Sequence, residues 1–236
     1  MPPRFQAGTI ISVGATRERN GAPVQRLRIT FAKGDELRYI SHLDLTRVWE
    51  RLLRRAGIPL AYSRGFNPHP RMSFAAPLQV GATGRAEVLD VVLERAIAPE
   101  DFTEAVQAHF VAGLRISAVA EVDLGAPSLQ AQVRALEYRV ELAGEMPHQI
   151  VADRIERFLG APEVVRDRRR EGQSRRYDLR PLVEDISLED PDGHGVLWMR
   201  LKVTPSGTGR PDELLDALGL GDSLEAIERT ALVLET

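Results

Sequence analysis

The sequence predicts an α+β protein made of two tandem ferredoxin-like (βαββαβ) units with antiparallel sheets. Three observations carry that expectation. Segments with a two-residue apolar alternation recur on both sides of residue 130. Amphipathic segments with helical spacing and clear start and stop signals lie between them. The order β-α-β-β-α-β runs once over residues 25–124 and again over 136–236, with 125–135 expected as a linker and 1–24 as a loose leader. The repeat is one of pattern, without residue-level identity between the halves.

Taken in order, Gln25–Lys33 (QRLRITFAK) alternates, with Leu27, Ile29 and Phe31 on one face and Arg26, Arg28 and Thr30 on the other. A helix over Ser41–Ala56 follows. Ser41 is a good N-cap, and Asp44 stands where a capping box places its acid. Leu45, Val48, Trp49, Leu52, Leu53 and Ala56 form one apolar stripe, and Gly57 and Pro59 end it. A strand near Ala86–Glu94, a helix opened by Pro99 and a strand over Arg115–Val122 complete the first unit. In the second half, strands are expected at Leu136–Leu142, around an arginine-rich bend within Glu163–Glu189, at Val196–Val203 and at Ala226–Leu234. Helices are expected at Pro147–Leu159 and Pro211–Leu218, with a hairpin turn at Asp190–Gly195.

Composition excludes several classes of function. The chain has 236 residues, of which 43% are hydrophobic and none is cysteine. That removes disulfides, thiolate nucleophiles, cysteine-ligated zinc and iron–sulfur clusters. No apolar run approaches the ~18 residues of a membrane span, and no signal peptide opens the sequence, so a cytoplasmic protein is expected. The net charge of −3 conceals an asymmetry. Arg38–Arg71 carries seven arginines against Asp44 and Glu50, and Val164–Arg180 carries seven against Asp167, Glu171 and Asp178. Two basic windows on an acidic body can bind a polyanion, because the local field outweighs the total.

The first window offers a stripe and a loop. Arg47, Arg51, Arg54 and Arg55 share one face of the expected helix, a row able to track phosphates or simply a solvated face. Residues 62–74 (YSRGFNPHPRMSF) combine Tyr62, Arg64, Phe66, Asn67, His69 and Arg71 with prolines on both sides of His69. Aromatics for stacking, arginines for phosphate and a stiff turn suit unpaired bases, whereas Phe74 fits the core. His42, Asp44 and His69 are the candidates for acid–base chemistry or a divalent metal if the loop folds over the helix start, although capping already accounts for Asp44. In the second window Arg168, Arg169, Arg170, Arg176 and Arg180 are expected on or beside an exposed basic hairpin, with Asp178 and Arg180 able to pair. His109 is expected in the apolar stripe of the second helix. No cofactor is expected, and no metal site beyond those candidates.

Residues 39–84, above all Ser41-His42-Leu43-Asp44, Tyr62-Ser63, Gly65-Phe66 and Pro68-His69-Pro70, together with Asp178-Leu179-Arg180-Pro181-Leu182, resemble a bacterial family of radical-SAM-associated proteins. Its members are encoded beside, or fused to, cobalamin-binding radical SAM proteins. The resemblance covers most of residues 25–235 and implies a partner class without supplying a reaction. A radical SAM enzyme needs three cysteines for its cluster, so this chain is not that enzyme. Three readings follow. One is an RNA-binding accessory protein presenting a tRNA or rRNA to a radical SAM enzyme. The second is an RNA-processing or RNA-modifying enzyme using His42 and His69. The third is an interaction module docking on the radical SAM partner.

Overall fold

The computed structural model describes residues 23–144, 147–170, 173–189, 195–205 and 207–235, without the side chains at 169, 170 and 173–175. Its strands are β1 (Gln25–Lys33), β2 (Met72–Phe74), β3 (Ala82–Leu93), β4 (Leu114–Val122), β5 (Val133–Leu142), β6 (Val165–Arg170), β7 (Gln173–Asp178), β8 (Val183–Glu189), β9 (Val196–Thr204), β10 (Gly207–Thr208) and β11 (Leu224–Leu234). The helices are α1 (His42–Arg55), α2 (Pro99–Gln107), α3 (Leu129–Gln132), α4 (His148–Gly160) and α5 (Pro211–Ala217).

The architecture is α+β, with a nine-stranded, mainly antiparallel sheet and a separate β6–β7 hairpin. In the first half the strands lie in the order β4-β1-β3-β2, every neighbour antiparallel. In the second half the order is β11-β5-β9-β8, again antiparallel. The sequence leads one to expect two separate sheets. They are fused instead, because β11 pairs in parallel with the start of β3 through Ile227–Ala82, Glu228–Thr83 and Arg229–Gly84. The expected linker is not a spacer either: 129–132 forms α3, and β5 has begun by Val133. The expected leader lies outside the described residues except for Pro23 and Val24, and the Val24 N–H donates to the Leu93 carbonyl. The hairpin turn at 190–194 also lies outside them.

Helix α1 forms for the reasons its sequence states. The Ser41 hydroxyl accepts the Asp44 N–H and donates to the Asp44 carboxylate at 2.7 Å. Leu45, Trp49, Leu52 and Leu53 are buried against β1, where the Trp49 ring meets Phe31 edge-on at 4.9 Å. Gly57 then takes φ 68°, a conformation only glycine adopts at little cost, and turns the chain back. A second cluster joins Leu136, Val140, Leu197 and Leu201 of the sheet to Val151, Ile155 and Phe158 of α4 and to Leu214 and Leu215 of α5. The opposite sheet face carries ion pairs instead, with Asp90 between Arg26 and Arg28, and Glu228 facing Arg85. Thus α1 and the loops around β2 are held against a rigid sheet.

Candidate nucleic-acid interface and cleft

The first basic window lies open on the surface. Arg47, Arg51, Arg54 and Arg55 are all exposed, while the opposite stripe of α1 is buried. The Arg47 guanidinium is spent in part on Asp44, at 3.0 Å. The Asp44 carboxyl is held below its usual range by the Ser41 hydroxyl and by Arg47.

The loop over 62–70 is a closed structure. Tyr62 bridges to Pro70, the Ser63 N–H donates to the His69 carbonyl at 2.8 Å, and the His69 N–H donates to the Ser63 hydroxyl at 3.0 Å. Its base is tied to β3: the Ala61 N–H donates to the Val92 carbonyl, and the Val92 N–H to the Arg71 carbonyl. Arg64, Phe66, Asn67, His69 and Arg71 are all exposed, and Phe66 is 104% exposed. Phe74 is buried, as its strand position predicts.

Register fixes where the loop sits along α1. Leu60 bridges to Leu93, so α1 ends at the same end of β3 from which the loop emerges. Arg51, Arg54 and Arg55 lie in the C-terminal half of α1, the half that leads through Leu60 into the base of the loop, whereas the sequence suggested a loop folded over the helix start. The N-terminal end of α1 meets the far end of β2, where the His42 ring packs edge-on to Phe74 at 5.0 Å. Burial, with the positive charge of Arg229 behind it, lowers the His42 pKa. His42 packs on Phe74 while His69 is exposed in the closed loop, and no contact joins the two imidazoles among the described residues. Asp44 is turned to Ser41 and Arg47, so the structure does not assemble the acid–base trio. No group of three or more His, Asp or Glu side chains suited to a metal occurs among the described residues.

The second window behaves differently. Arg168 donates to both carboxylate oxygens of Glu213 and to the Thr208 carbonyl, and its guanidinium lies 4.8 Å from the centre of the Tyr177 ring. The Tyr177 hydroxyl donates to the same carboxylate at 2.6 Å; burial and that carboxylate push the phenol up to about 12. Arg180 donates to the carbonyls of Leu159 and Val183 and covers the Phe158 ring, instead of pairing with Asp178. The Asp178 carboxylate accepts the N–H groups of Val164 and Arg180. Arg176 is exposed, and the side chains of Arg169 and Arg170 lie outside the described residues. His109 is exposed in the turn after α2 and not in its apolar stripe.

Sequence reasoning missed a concave feature at the edge of β3. The outer edge of β3 carries β11 on its first residues and β2 on its last, so the sheet forks there. A cleft of about 720 Å³ opens beside the fork, lined by residues 75–80 on one side and by Leu136, Tyr138, Val203, Arg210 and Asp212 on the other. Beneath it runs a polar row in register across the fused sheet: Lys33, Gly84, Arg229 and Tyr138. Arg229 is fully buried; it donates to the Glu87 carboxylate and to the carbonyls of Ala76 and Pro77, clamping the 75–80 segment. A Cβ at Gly84 would stand 2.5 Å from the Glu87 carboxylate, so glycine makes room for the pair. The Lys33 ammonium, with its pKa lowered by burial, donates to the carbonyls of Arg38 and Ala82. The available signal was an arginine two residues after Ile227, on the same inward face of β11, 142 residues from its carboxylate.

The fold and the exposed window define a mixed α+β protein with a cationic, aromatic-tipped surface and a separate cleft at the edge of β3. The chain belongs to the family described as uncharacterized protein conserved in bacteria (DUF2344), whose profile matches residues 26–211. No curated protein matches the chain. Among solved structures, it is similar to a chain of a Cbf5-Nop10-Gar1 complex, at 15% identity and a TM-score of 0.50, over 88% of this chain and 50% of that one. A chain of the archaeal box H/ACA sRNP Nop10-Cbf5 complex matches at 15% identity and a TM-score of 0.42, over 86% and 47%. The chain spans about half the length of these relatives, and at this identity the likeness is one of fold.

Proposed function

We propose that the protein is an RNA-binding accessory protein that presents a structured RNA, a tRNA or rRNA, to a radical SAM enzyme. The observation that carries the reading is an exposed arginine row on α1 whose chain leads through Leu60 into a closed loop with an exposed aromatic tip. That tip exposes Phe66 entirely, beside Arg64, His69 and Arg71. An exposed phenylalanine forgoes roughly 1.5–3 kcal/mol of burial, and a base stacked on it recovers part of that. Guanidinium groups spaced along a helix contact successive phosphates without reading sequence.

The antiparallel orders β4-β1-β3-β2 and β11-β5-β9-β8 support reading the halves as tandem ferredoxin-like units. The radical SAM partnership rests on the sequence resemblance alone. With no contact between His42 and His69 among the described residues, binding is favoured over catalysis by that pair. The test is a titration with a fluorescent single-stranded oligoribonucleotide and its duplex, each at two salt concentrations. Tighter binding of the single strand, with log affinity falling linearly in log salt, is expected. Absence of binding at low salt would remove the RNA reading and leave docking on a protein partner.

A further inference from the structure

The cleft beside the sheet fork contains polar groups that the fold itself leaves unused. Gln130 and Arg168 on its lining are occupied, the first by Ser73 and the Phe74 carbonyl, the second by Glu213. Gln79 and Arg210 are not occupied in that way, and the Asp212 carboxylate meets only the backbone N–H groups of Asp212 and Glu213 at the start of α5, which leaves acceptor capacity for a ligand. Among the described residues the Gln79 amide makes no hydrogen bond, and Arg210 acts on Asp212 and Glu213 through its charge alone. Asp212 keeps access to solvent at the mouth. The walls between these groups are apolar, formed by Pro77, Leu78, Leu136 and Val203. Its wall at 75–80 is fixed by the buried Arg229, so the cavity is built before any ligand arrives.

Such a set recognises the edge of a planar heterocycle. A guanidinium donates to two adjacent acceptors, a carboxylate accepts from ring and exocyclic N–H groups, and an amide does either. Of the four bases only guanine presents the O6/N7 acceptor pair together with N1–H and N2–H donors, which is the complement of Arg210 and Asp212 together. A cleft of about 720 Å³ lies within the usual range for small-ligand sites and has room for one nucleotide.

We infer that the fork cleft is a guanine site, formed by Gln79, Arg210 and Asp212, which takes one unpaired guanine of a bound RNA. The source of the base rests on the RNA reading; the site itself does not. Nothing in the geometry requires the base to be altered there.

The experiment is a titration of the full chain with the monophosphates of guanosine, adenosine, cytidine and uridine, followed by protein NMR or calorimetry. Guanosine monophosphate is expected to bind at least about tenfold more tightly than the other three, the size of one good base-edge pairing. Arg210→Ala and Gln79→Ala should erase that preference with unchanged thermal unfolding midpoints, and Arg51→Ala/Arg54→Ala should retain it. Equal affinities for the four, no binding, or a guanine preference that survives Arg210→Ala would overturn the site. Preference for another base would overturn the guanine assignment. A guanine preference in a protein that fails to bind RNA would uphold the cleft and refute the RNA reading; RNA binding without a base preference would do the reverse.

Discussion

The two arginine-rich windows carry comparable charge in sequence and differ in the structure: Arg166, Arg168 and Arg180 of the second are engaged by the protein and Arg176 is exposed, whereas the α1 arginines of the first are all exposed. Between α1 and Arg71 the guanidinium groups are exposed, and among the described residues Asp44 pairs with Arg47 alone of the α1 arginines. Between β6 and the turn after β7, Arg168 and Arg180 are spent on the protein: on Glu213, on backbone carbonyls and on aromatic rings. The difference teaches that charge density along a chain does not locate a polyanion site. What locates it is whether each cation has already been neutralised by its own fold. A guanidinium bonded to a carboxylate and a carbonyl has few N–H groups left for phosphate.

The comparison can be broken most sharply at Arg168. Arg168→Ala leaves the Glu213 carboxylate half-buried with only Tyr177, and should cost about 2–3 kcal/mol in urea unfolding. That lies at the low end of what breaking a buried pair costs, because a quarter of the Arg168 side chain is exposed. Its RNA affinity, measured on the folded fraction, should stay unchanged. A stable Arg168→Ala that binds RNA poorly would reverse the two assignments.

Phe66→Ala is the counterpart in the first window. It should leave the unfolding midpoint where it is and weaken binding to unpaired RNA by about 1–2 kcal/mol, the loss of one stacked base. A fall in stability instead would mean that Phe66 packs against the protein.

Tyr177→Phe should cost about 1 kcal/mol through the lost hydrogen bond to Glu213. It also changes the alkaline limb. The native phenol ionises at about 12 and the unfolded one at about 10, so the native state keeps its proton through that interval. The stability this contributes is fully present below pH ~10 and is lost as pH rises toward 12. Phenolate absorbance should show Tyr177 among the last tyrosines to ionise, and Tyr177→Phe should flatten the alkaline loss. A Tyr177 that ionises with an ordinary phenol would show that the Glu213 contact does not persist in solution.

Much of α1 and its surroundings was legible in the sequence, because the determinants are local. A capping box, an apolar stripe, a stopping glycine and the alternation of β1 all act within one or two turns of chain. The fusion of the sheets was not legible, since three residue pairs between Ala82–Gly84 and Ile227–Arg229 leave no local signature. The commitment of Arg168 was hidden for the same reason: Glu213 stands 45 residues away. Whether Phe66 faces solvent was not legible either, since the closure of its loop at Tyr62–Pro70 and Ser63–His69 leaves the ring fully exposed. The cleft gathers residues from 75 to 212 and has no motif at all.

The pair on which the proposed phosphate track depends supplies the most direct test, at a small expected change in stability. Arg51→Ala/Arg54→Ala should shift unfolding by no more than about 0.5 kcal/mol for each exposed site. The measurement is the slope of log affinity against log salt for a single-stranded oligoribonucleotide, taken for the wild type, for this double variant and for Arg168→Ala. Removing two phosphate contacts should reduce the magnitude of the slope by about 1.4, at roughly 0.7 per contact on a single strand, in the α1 variant only. An unchanged slope in Arg51→Ala/Arg54→Ala, or an equal reduction in Arg168→Ala, would contradict the division of the arginines into a surface that binds and a set that holds the fold.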